Sequence, residues 1–588
     1  MDYDYRIDVP RTTLRQQVGN ARALVGRRVG ALTDLLPSPS DYSGLRGTWS
    51  KDLIAGVTVG IVALPLALGF GVASGMGAAA GLVTAIVAGV VAAVFGGSRL
   101  QVSGPTGAMT VVLLPVIARY GPEHVPLLAI LGGLIVVVMG VAGLGRVVDM
   151  IPHPVVEGFT MGIGVIIALQ QIPLIVGTPR AESESTLISS WLTLQHTDWS
   201  RAWAPLVITA VVVVVHLVGR RLFPRLPIAL IAVVVATLLA VLTGWQAARI
   251  GVLPSTLPAP VLPSFSLDAV RELAAPALAV ATLAALESLL SARVADRMRP
   301  DVPRTLPDRE LVGQGLANVA SGIFGGLPAT GAVARTAVNA RTGAHTRLAA
   351  VSHAVVLVLV MLLLGPAVAL IPMASLGGVL LMTAQRMVNL KVAREICSTT
   401  RADRNTLLVT FAATVVFDLI TAVLVGVALA AIMSLRHMAA FSVVRRQHLP
   451  VPIIGGTVDL TPEQERYRDR IAIYGVDGAL FYGDARRFVE EVTAVEDLDV
   501  VILRFHQTQV LDASGAEAIK EAARELRSRG MFVVAQGMNL SQLHTASAVR
   551  AVKLEHHVET VREALDRAVE LIQRVEQGGP GPDQPSAG

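Results

Sequence analysis

The chain has few of the residues on which secreted, nucleic-acid-binding and most soluble proteins depend. Its one cysteine, Cys397, excludes an internal disulfide framework and any cysteine-rich metal site. Charged residues make up only 16% of the chain, whereas soluble domains carry roughly 25%. The net charge is +5 and no basic run is interleaved with aromatic residues, so we expect no nucleic acid partner. Ser-His-Asp, HExxH and GxxxxGK[ST] patterns are also missing, so we expect neither an enzyme nor a cofactor.

Long apolar runs take the place of charge between residues 52 and 436. Hydrophobic residues make up 53% of the 588 residues, and they recur in runs such as 125–144, 204–218 and 350–370. A helix of about 20 apolar residues crosses the ~30 Å of hydrocarbon in a bilayer. The sequence therefore predicts an α-helical protein that crosses the membrane many times and is surrounded by lipid.

Composition divides the chain into several parts. Proline, glycine and short polar loops cut the membrane domain into about fourteen segments, two of them short. The predicted parts are an N-terminal arm (1–51), the membrane domain (52–436), a linker (437–450), a soluble domain (451–575) and a disordered tail (576–588).

Basic residues at the two ends of the membrane domain predict its orientation. An even number of segments places both termini on one side of the membrane. Positive charge favours the cytoplasmic side, and such residues flank both ends, namely Arg46, Lys51, Arg436, Arg445 and Arg446. We therefore predict a protein of the plasma membrane with both termini in the cytoplasm.

The soluble domain shows a different pattern. The runs "IAIYGVDGALFYG", "VVILRF" and "MFVVAQG" are typical of strands, and "SGAEAIKEAARELRSRG" and "ETVREALDRAVELIQRV" are typical of amphipathic helices. Alternating strands and helices predict a small α/β domain with a largely parallel sheet.

A short text occurs twice in the membrane domain. Phe95-Gly96-Gly97 leads to "PTGAM" at 105–109, and Phe324-Gly325-Gly326 leads to "ATGAV" at 329–333. Duplicated segments that are interrupted at matching positions indicate the binding site of a transporter. The alternative is a pair of ordinary kinks or loops.

The interruptions predict two half-helices that begin inside the membrane. Pro105 suits the first turn of a helix, so residues 101–103 would be extended and a helix would begin near Thr106. A second helix would begin near Gly331 and point the opposite way. Free N–H groups and the positive dipole ends of both helices would then form an anion site. The predicted anion ligands are Gln101, Ser103, Thr106, Gly107, Ala108, Gly331, Ala332, Val333, Ala334 and Arg335.

Two charged residues lie inside predicted spans. Arg335, in the first turn of the second half-helix, offers a full positive charge and several donors to an oxyanion; alternatively it snorkels or pairs with a carboxylate. Glu287 follows a wholly apolar helical run and could carry a coupling proton. It could also bind Na⁺ together with Ser291, one turn further on, or form a structural salt bridge to Arg335. The predicted coupling ion is thus H⁺ or Na⁺.

Several segments resemble the SulP family of sulfate and other anion transporters. They are "DLIAGVTVGIVALPLALGFGVASGMG", "FGGSRLQVSGPTGAM", "HPVVEGFTMGIGVIIALQQ" and "DRELVGQGLANVASGIFGGLPATGAVARTAVNARTGAHT". The resemblance implies two inverted seven-helix repeats, a core domain that moves against a gate domain like an elevator, and a homodimer. It places the substrate between the third and tenth helices. It adds Phe70 to the substrate ligands, at a position where sulfate carriers often have Tyr.

The soluble domain resembles a STAS domain through "VVILRFHQTQVLDASGAEAI". Ser514 matches the serine that is phosphorylated in anti-sigma-factor antagonists, which makes it a candidate for phosphorylation and the domain a candidate for binding a cytoplasmic regulator. Alternatively, Asp512 and Ser514 cap the helix that follows them.

At this point, several anions are candidates for the substrate. The first span and the "DRELVGQG" segment are most similar to sodium-dependent bicarbonate transporters, which have Asp and Thr in place of Glu287 and Ser291 and tend to lack Arg335. An extra positive charge suits a dianion such as sulfate. We predict a secondary transporter of an inorganic oxyanion, sulfate or bicarbonate. The alternatives are a dicarboxylate transporter, an anion channel or exchanger, a nucleobase carrier and a membrane-anchored signalling module.

Overall fold

The computed structural model divides into two compact units, one that ends at Ala428 and one that begins at Leu429. Residues 1–34 of the predicted arm, most of the predicted linker and the tail from residue 579 lie outside the described residues. The structure describes residues 35–42, 44–146, 151–183, 185–223, 226–417, 421–422, 425–433, 443–447, 451–453, 456–458, 460–480, 485–494, 498–548 and 557–578.

The first unit is mostly helical. Its first half contains α1 (Leu45–Ala73), α2 (Gly77–Phe95), β1 (Ser103–Gly104), α3 (Gly107–Tyr120), α4 (Val125–Val141), α5 (His153–Gln170), α6 (Ile172–Val176), α7 (Thr186–Gln195), α8 (Trp199–Leu222) and α9 (Ile228–Leu242). Its second half contains α10 (Leu267–Met298), α11 (Pro307–Ile323), β2 (Thr330–Gly331), α12 (Val333–Thr342), α13 (Leu348–Ala369), α14 (Met373–Met387), α15 (Leu390–Thr399) and α16 (Arg401–Val416). Residues 425–433 are again helical.

The apolar helices are long enough for a membrane protein. Among the described residues, seven helical stretches have the length and composition needed to cross a bilayer. They are Leu45–Ala73, Gly77–Phe95, Pro122–Val141, His153–Val176, Trp199–Leu222, Leu267–Met298 and Leu348–Ala369. The chain is therefore a multi-pass membrane protein, as its composition predicts.

The helices of the first unit pack in two groups, which correspond to the core and gate of the predicted fold. In the core, α1–α4 pack against α10–α13. In the gate, α5 packs against α14 and α16, and α8 packs against α9 and α14. The groups meet where α1 contacts α14 and α3 contacts α5. Small residues bring core helices together: a Cβ on Gly133 of α4 would lie 2.6 Å from the Gly315 carbonyl oxygen of α11.

Helix α1 begins at Leu45, before the predicted boundary between arm and membrane domain at residue 51. Asp52, the first residue of the predicted membrane domain, is fully buried. Its carboxylate accepts hydrogen bonds from the backbone N–H groups of His345 at 2.7 Å and Thr346 at 3.0 Å. The charge thus satisfies the chain just before α13 instead of marking the edge of the membrane.

The second unit is an α/β domain whose sheet is mostly parallel, as predicted. The strand order is β10-β9-β7-β6-β3, with β8 also pairing with β6, and only β3 runs antiparallel. Its elements are β3 (Val443–Gln447), β4 (Val451–Ile453), β5 (Gly456–Val458), α17 (Pro462–Arg466), β6 (Ile471–Leu480), α18 (Ala485–Thr493), β7 (Val500–Arg504), β8 (Thr508–Leu511), α19 (Ala513–Ser528), β9 (Phe532–Gln536), α20 (Leu540–Ala548), β10 (His557–Val558) and α21 (Val561–Glu576).

Alternate residues of the strands enter two separate cores. In β6, Ala472, Tyr474 and Val476 pack with α18 and α19, whereas Ile471 and Ile473 pack with α21 on the other face. The predicted linker at 437–450 overlaps this sheet, because β3 pairs with β6 from Val443↔Asp477 to Gln447↔Ile473. Two arginines in a five-residue run made β3 resemble a linker in the sequence.

Candidate functional site

The two repeated texts meet in the centre of the core. β1 and β2 form an antiparallel pair in which Ser103 lies opposite Gly331 and Gly104 lies opposite Thr330. A further backbone hydrogen bond of 3.0 Å joins the Ala332 N–H to the Val102 carbonyl. The pair satisfies backbone groups that would otherwise be unpaired where the helices are interrupted.

Helices α3 and α12 begin directly after this pair and have no side-chain cap. Their N-cap residues are Thr106 and Ala332, and neither side chain bonds the N–H groups of its own helix. The first-turn N–H groups of both helices lack intrahelical partners, and each helix contributes about half a positive charge at this end. Two half-helix N-termini therefore lie on either side of a two-stranded ladder, which is the arrangement that the repeated text predicts.

Glu287 of α10 lies between the two half-helices. Its Oε2 accepts a hydrogen bond of 2.8 Å from Thr106 Oγ1 and one of 2.7 Å from Thr330 Oγ1. The two hydroxyls are 3.3 Å apart. The carboxylate thus joins the residues that precede α3 and α12, and three side-chain oxygens come together at one point.

Arg335 reaches across from α12 to the start of α3. Its guanidinium is buried, and Nη2 donates to the Pro105 carbonyl. Nη1 has no hydrogen-bond partner among the residues that the structure describes. A Cβ at Gly104 would collide with Nη1, so only glycine allows this approach. The sequence also allowed a direct salt bridge between Arg335 and Glu287. The guanidinium does not form it and instead donates to the backbone that precedes the other half-helix.

Gln101 and Ser103 lie in the extended segment before α3, and both are buried. Neither polar atom of the Gln101 side chain has a hydrogen-bond partner in the described part of the chain, and its amide packs against Gly331. Ser103 Oγ accepts a hydrogen bond from Gln314 Nε2, which also donates to Glu310 at 3.0 Å. Gln101 therefore has free donors and acceptors beside the half-helices, whereas Ser103 is already held by α11.

The remaining predicted ligands differ in exposure. Phe70, Gly107 and Ala108 are buried together at the start of α3, where a Cβ on Gly107 would lie 3.1 Å from Phe70 Cε1. Gly331 and Ala332 are buried, but Val333 and Ala334 are exposed at the first turn of α12. The backbone N–H groups of this turn, more than its side chains, are thus available to a ligand.

Ser291, the predicted partner of Glu287 in a cation site, bonds elsewhere. Its hydroxyl donates to Thr336 Oγ1 at 3.0 Å, and Thr336 accepts in turn from the Val102 N–H at 3.1 Å. The described residues contain no group of three or more His, Cys, Asp and Glu placed to hold a metal ion. The oxygens that do converge on Glu287 belong to Thr106 and Thr330.

Sequence reasoning missed three residues that shape this site. Thr330 shares Glu287 with Thr106, Ser288 Oγ accepts from the Gly331 N–H at 2.9 Å, and Gln314 holds Ser103. Thr330 stands inside the repeated text, where it aligns with Thr106, so the repeat itself carried that signal. Ser288 and Gln314 lie on other helices, and no local pattern points from them to β1 or β2.

Ser514 lies exposed in the first turn of α19. The cap of this helix is Asp512, whose carboxylate accepts from the Gly515 N–H at 2.7 Å. Asp512 therefore caps α19, which is one of the roles that the sequence allowed. Ser514 is exposed.

Comparison with known proteins identifies the family. The sulfate permease family model matches residues 49–413, and the STAS domain model matches residues 464–568. The chain belongs to the sulfate permease family. It is 33% identical to the putative sulfate transporter YvdB of Bacillus subtilis (strain 168), over 86% of this chain and 96% of YvdB. It is 30% identical to the bicarbonate transporter BicA of Picosynechococcus sp., over 90% of this chain and 95% of BicA.

Solved structures agree with the fold. The overall structure of SLC26A9 superposes with a TM-score of 0.79 at 16% identity and covers 94% of this chain and 95% of that one. On its family matches and its relatives, this sulfate permease family member is an anion transporter with a STAS domain. Its relatives are named as transporters, which confirms the expectation that it is not an enzyme.

Proposed function

We propose that this protein is a secondary active transporter that carries an inorganic oxyanion across the plasma membrane. The observation that supports it best is the convergence of two uncapped helix N-termini and a buried arginine on one point. Oriented N–H groups and a guanidinium fork are the donors that bind the oxygens of such anions. Gln101 adds a side-chain amide that has no other partner in the described residues.

Charge balance at this point favours coupling to a cation. Two helix ends of about half a charge each, Arg335 and an ionised Glu287 sum to about +1. Neutralising Glu287 by H⁺ or Na⁺ raises the sum to about +2. The first state suits a monovalent anion such as bicarbonate, and the second suits a dianion such as sulfate. We favour sulfate with coupling at Glu287, Thr106 and Thr330, because this charge balance fits a dianion. Na⁺-coupled bicarbonate transport, which the charge balance does not favour, is the second candidate because relatives of both names match the chain.

Transport then requires the core to move against the gate. Both half-helices belong to the core and are joined by β1 and β2, so the bound anion would travel with them as one body. The gate supplies the surface on which α1 and α3 slide. We further propose that both termini lie in the cytoplasm and that the protein works as a homodimer.

Uptake by purified protein in liposomes tests the proposal. Labelled sulfate and labelled bicarbonate are supplied at two pH values, with and without Na⁺. Uptake should saturate with anion concentration, and Arg335→Gln should lower kcat/KM by about a hundredfold or more, because a buried site loses its full charge. Arg341→Gln, an exposed arginine on the same helix, is the matched control and should transport normally. Flux that rises linearly with concentration would instead indicate a channel.

A further inference from the structure

A cavity of about 360 Å³ lies between the core and the gate, away from the half-helix ends. It is bounded by the end of α1, the middle of α3, the segment from α5 through α6 and the start of α14. Most of its lining is aliphatic or proline, including Val72, Leu114, Pro205 and Met373. Only a few polar side chains therefore line the described part of the cavity.

Arg180 is the charged residue of this lining. Its Nε donates a hydrogen bond of 3.1 Å to Ser189 Oγ, and Ser189 donates onward to the Ala181 carbonyl at 2.7 Å. These bonds hold the guanidinium in place but use only one of its five N–H groups. Because no carboxylate is among the described residues that line the cavity, the Arg180 cation gives it a positive potential.

Gln170 is the second polar group. Its side chain is buried, at 7% exposure, and Oε1 accepts from Thr110 Oγ1 at 3.3 Å. Its Nε2 has no hydrogen-bond partner within the described ranges. A buried amide donor without an acceptor is costly, so this position favours a ligand that supplies an oxygen.

One face of α3 carries residues of both the half-helix site and the cavity lining. Thr106, Thr110 and Leu114 are spaced four residues apart and therefore share that face. Thr106 bonds Glu287, Thr110 bonds Gln170, and Leu114 lines the cavity. At 1.5 Å per residue, the cavity lies about 12 Å along the helix from Thr106.

We propose that this cavity is a second binding site for the transported oxyanion, with Arg180 and Gln170 as its ligands. It lies on the route by which the anion reaches the half-helices from the Tyr120 side of α3. One cation and one amide bind more weakly than the paired half-helices with Arg335. The site therefore concentrates the anion and releases it onward. This inference rests on the proposed function, since it takes the same class of anion.

Transport kinetics give the first test. Arg180→Gln should raise the KM for sulfate uptake about three- to tenfold and leave kcat unchanged, because the access step is weakened and the moving core is intact. Arg180→Lys should recover part of the loss. Arg201→Gln is the matched control, because Arg201 is exposed at the start of α8 and lies outside the cavity. A KM equal to wild type in Arg180→Gln would overturn the proposal.

Chemical labelling gives a readout that does not depend on transport. With Cys397→Ser as background, Thr178→Cys places a thiol in the cavity lining. A negatively charged methanethiosulfonate should react with it faster than a neutral one, and sulfate should slow the reaction. Both effects should disappear in the Arg180→Gln background. If sulfate gives no protection while Arg335→Gln still abolishes saturable uptake, the cavity site is wrong and the proposed function stands. If no oxyanion is taken up but sulfate still protects the thiol, the proposed function is wrong and the cavity site stands.

Discussion

In the proposed mechanism, coupling depends on Glu287. Its carboxylate contacts Thr106 and Thr330, which precede the two half-helices. Its charge opposes that of Arg335 and of the two helix ends, so the occupancy of a proton or Na⁺ at Glu287 sets how much negative charge the site accepts. Arg335 by contrast bonds a backbone carbonyl, and its charge is constant.

Replacing Glu287 by Gln should separate binding from coupling. The amide keeps the size of the side chain and an oxygen for the threonine hydroxyls, but it can neither be protonated nor balance Na⁺. We expect uphill uptake to fall at least tenfold and to lose its dependence on pH and Na⁺, while exchange of labelled for unlabelled anion continues. Counterflow measures the anion exchange, and concentrative uptake in the same liposomes measures the uphill uptake.

The matched control for that variant is Glu272→Gln, an exposed carboxylate on the same helix α10. It should leave both kinds of flux unchanged. Concentrative uptake by Glu287→Gln that still responds to pH or Na⁺ would show that another group carries the coupling ion.

At the level of elements, the start of α3 is closely packed against the gate. A Cβ on Gly107 would collide with Ile167 of α5 and would lie 3.1 Å from Phe70 of α1. Gly107 thus lets the half-helix approach the gate closely. In the proposed transport cycle, this contact has to slide whenever the core moves.

Gly107→Ala should therefore block transport more than it reduces stability. We expect kcat to fall about tenfold or more and the melting temperature to change by only a few degrees, since one methyl group is added at a contact that can separate. Removing the Cδ1 of Ile167 in the double variant Gly107→Ala/Ile167→Val should restore part of the activity. Uptake and thermal unfolding are measured together.

Gly365→Ala on α13 serves as the control, because a Cβ there meets no atom within 4 Å. Full activity in Gly107→Ala would contradict a tight contact at this point.

The two half-helices show how much of the site could be predicted from the sequence. The repeated "TGA" text located the starts of α3 and α12 to within two residues, because interrupted membrane helices need proline, glycine and hydroxyl residues at fixed positions. The text could not reveal that Ser291 bonds Thr336 or that Gln314 holds Ser103, since those contacts join residues 45 and 211 positions apart. For the same reason, the burial of Asp52 under α13 was not predictable from its apolar neighbours.

For the whole molecule, the residues of the proposed anion and coupling sites all belong to the membrane unit. The residues of these sites lie between Phe70 and Arg335, in the unit that ends at Ala428. Deleting residues 443–588, which removes the whole sheet including β3, should leave the KM for sulfate unchanged within about twofold. Any loss should appear as a smaller amount of active protein. A saturation curve normalised to surface-expressed protein checks this. A KM shifted tenfold would show that the STAS domain takes part in anion binding.

The STAS unit should respond to pH on its own. Arg470 and Tyr467 donate hydrogen bonds to Glu576 at the end of α21, and together with the charge of Arg470 they lower the pKa of the Glu576 carboxyl. A carboxyl with a lowered pKa in the folded state stabilises the fold above its unfolded pKa of about 4.3 and loses that contribution as pH falls through the folded value. Glu576→Gln should therefore matter at neutral pH and not in acid.

Hydrogen exchange of α21 in the full chain measures this effect. At pH 7, Glu576→Gln should speed exchange at most about fivefold, because exposed ion pairs are weak. The difference between the variant and the wild type should shrink as pH falls below the unfolded pKa of about 4.3 and through the lowered folded value, since the wild-type side chain then becomes uncharged. Glu517→Gln removes an equally exposed pair on α19 and should leave α21 unchanged. Tryptophan fluorescence cannot replace this measurement, because the five tryptophans, Trp49, Trp191, Trp199, Trp203 and Trp245, all precede the STAS unit.

The short ladder between β1 and β2 also bears on how such a protein can be built. Each half of the chain ends its interrupted segment with N–H and carbonyl groups that only the other half can satisfy. In lipid, every such orphan group costs several kcal/mol, so a gene fragment that encodes one half would yield no stable product by itself. Two fragments made in the same cell should complement each other, because β1 of one fragment can then pair with β2 of the other.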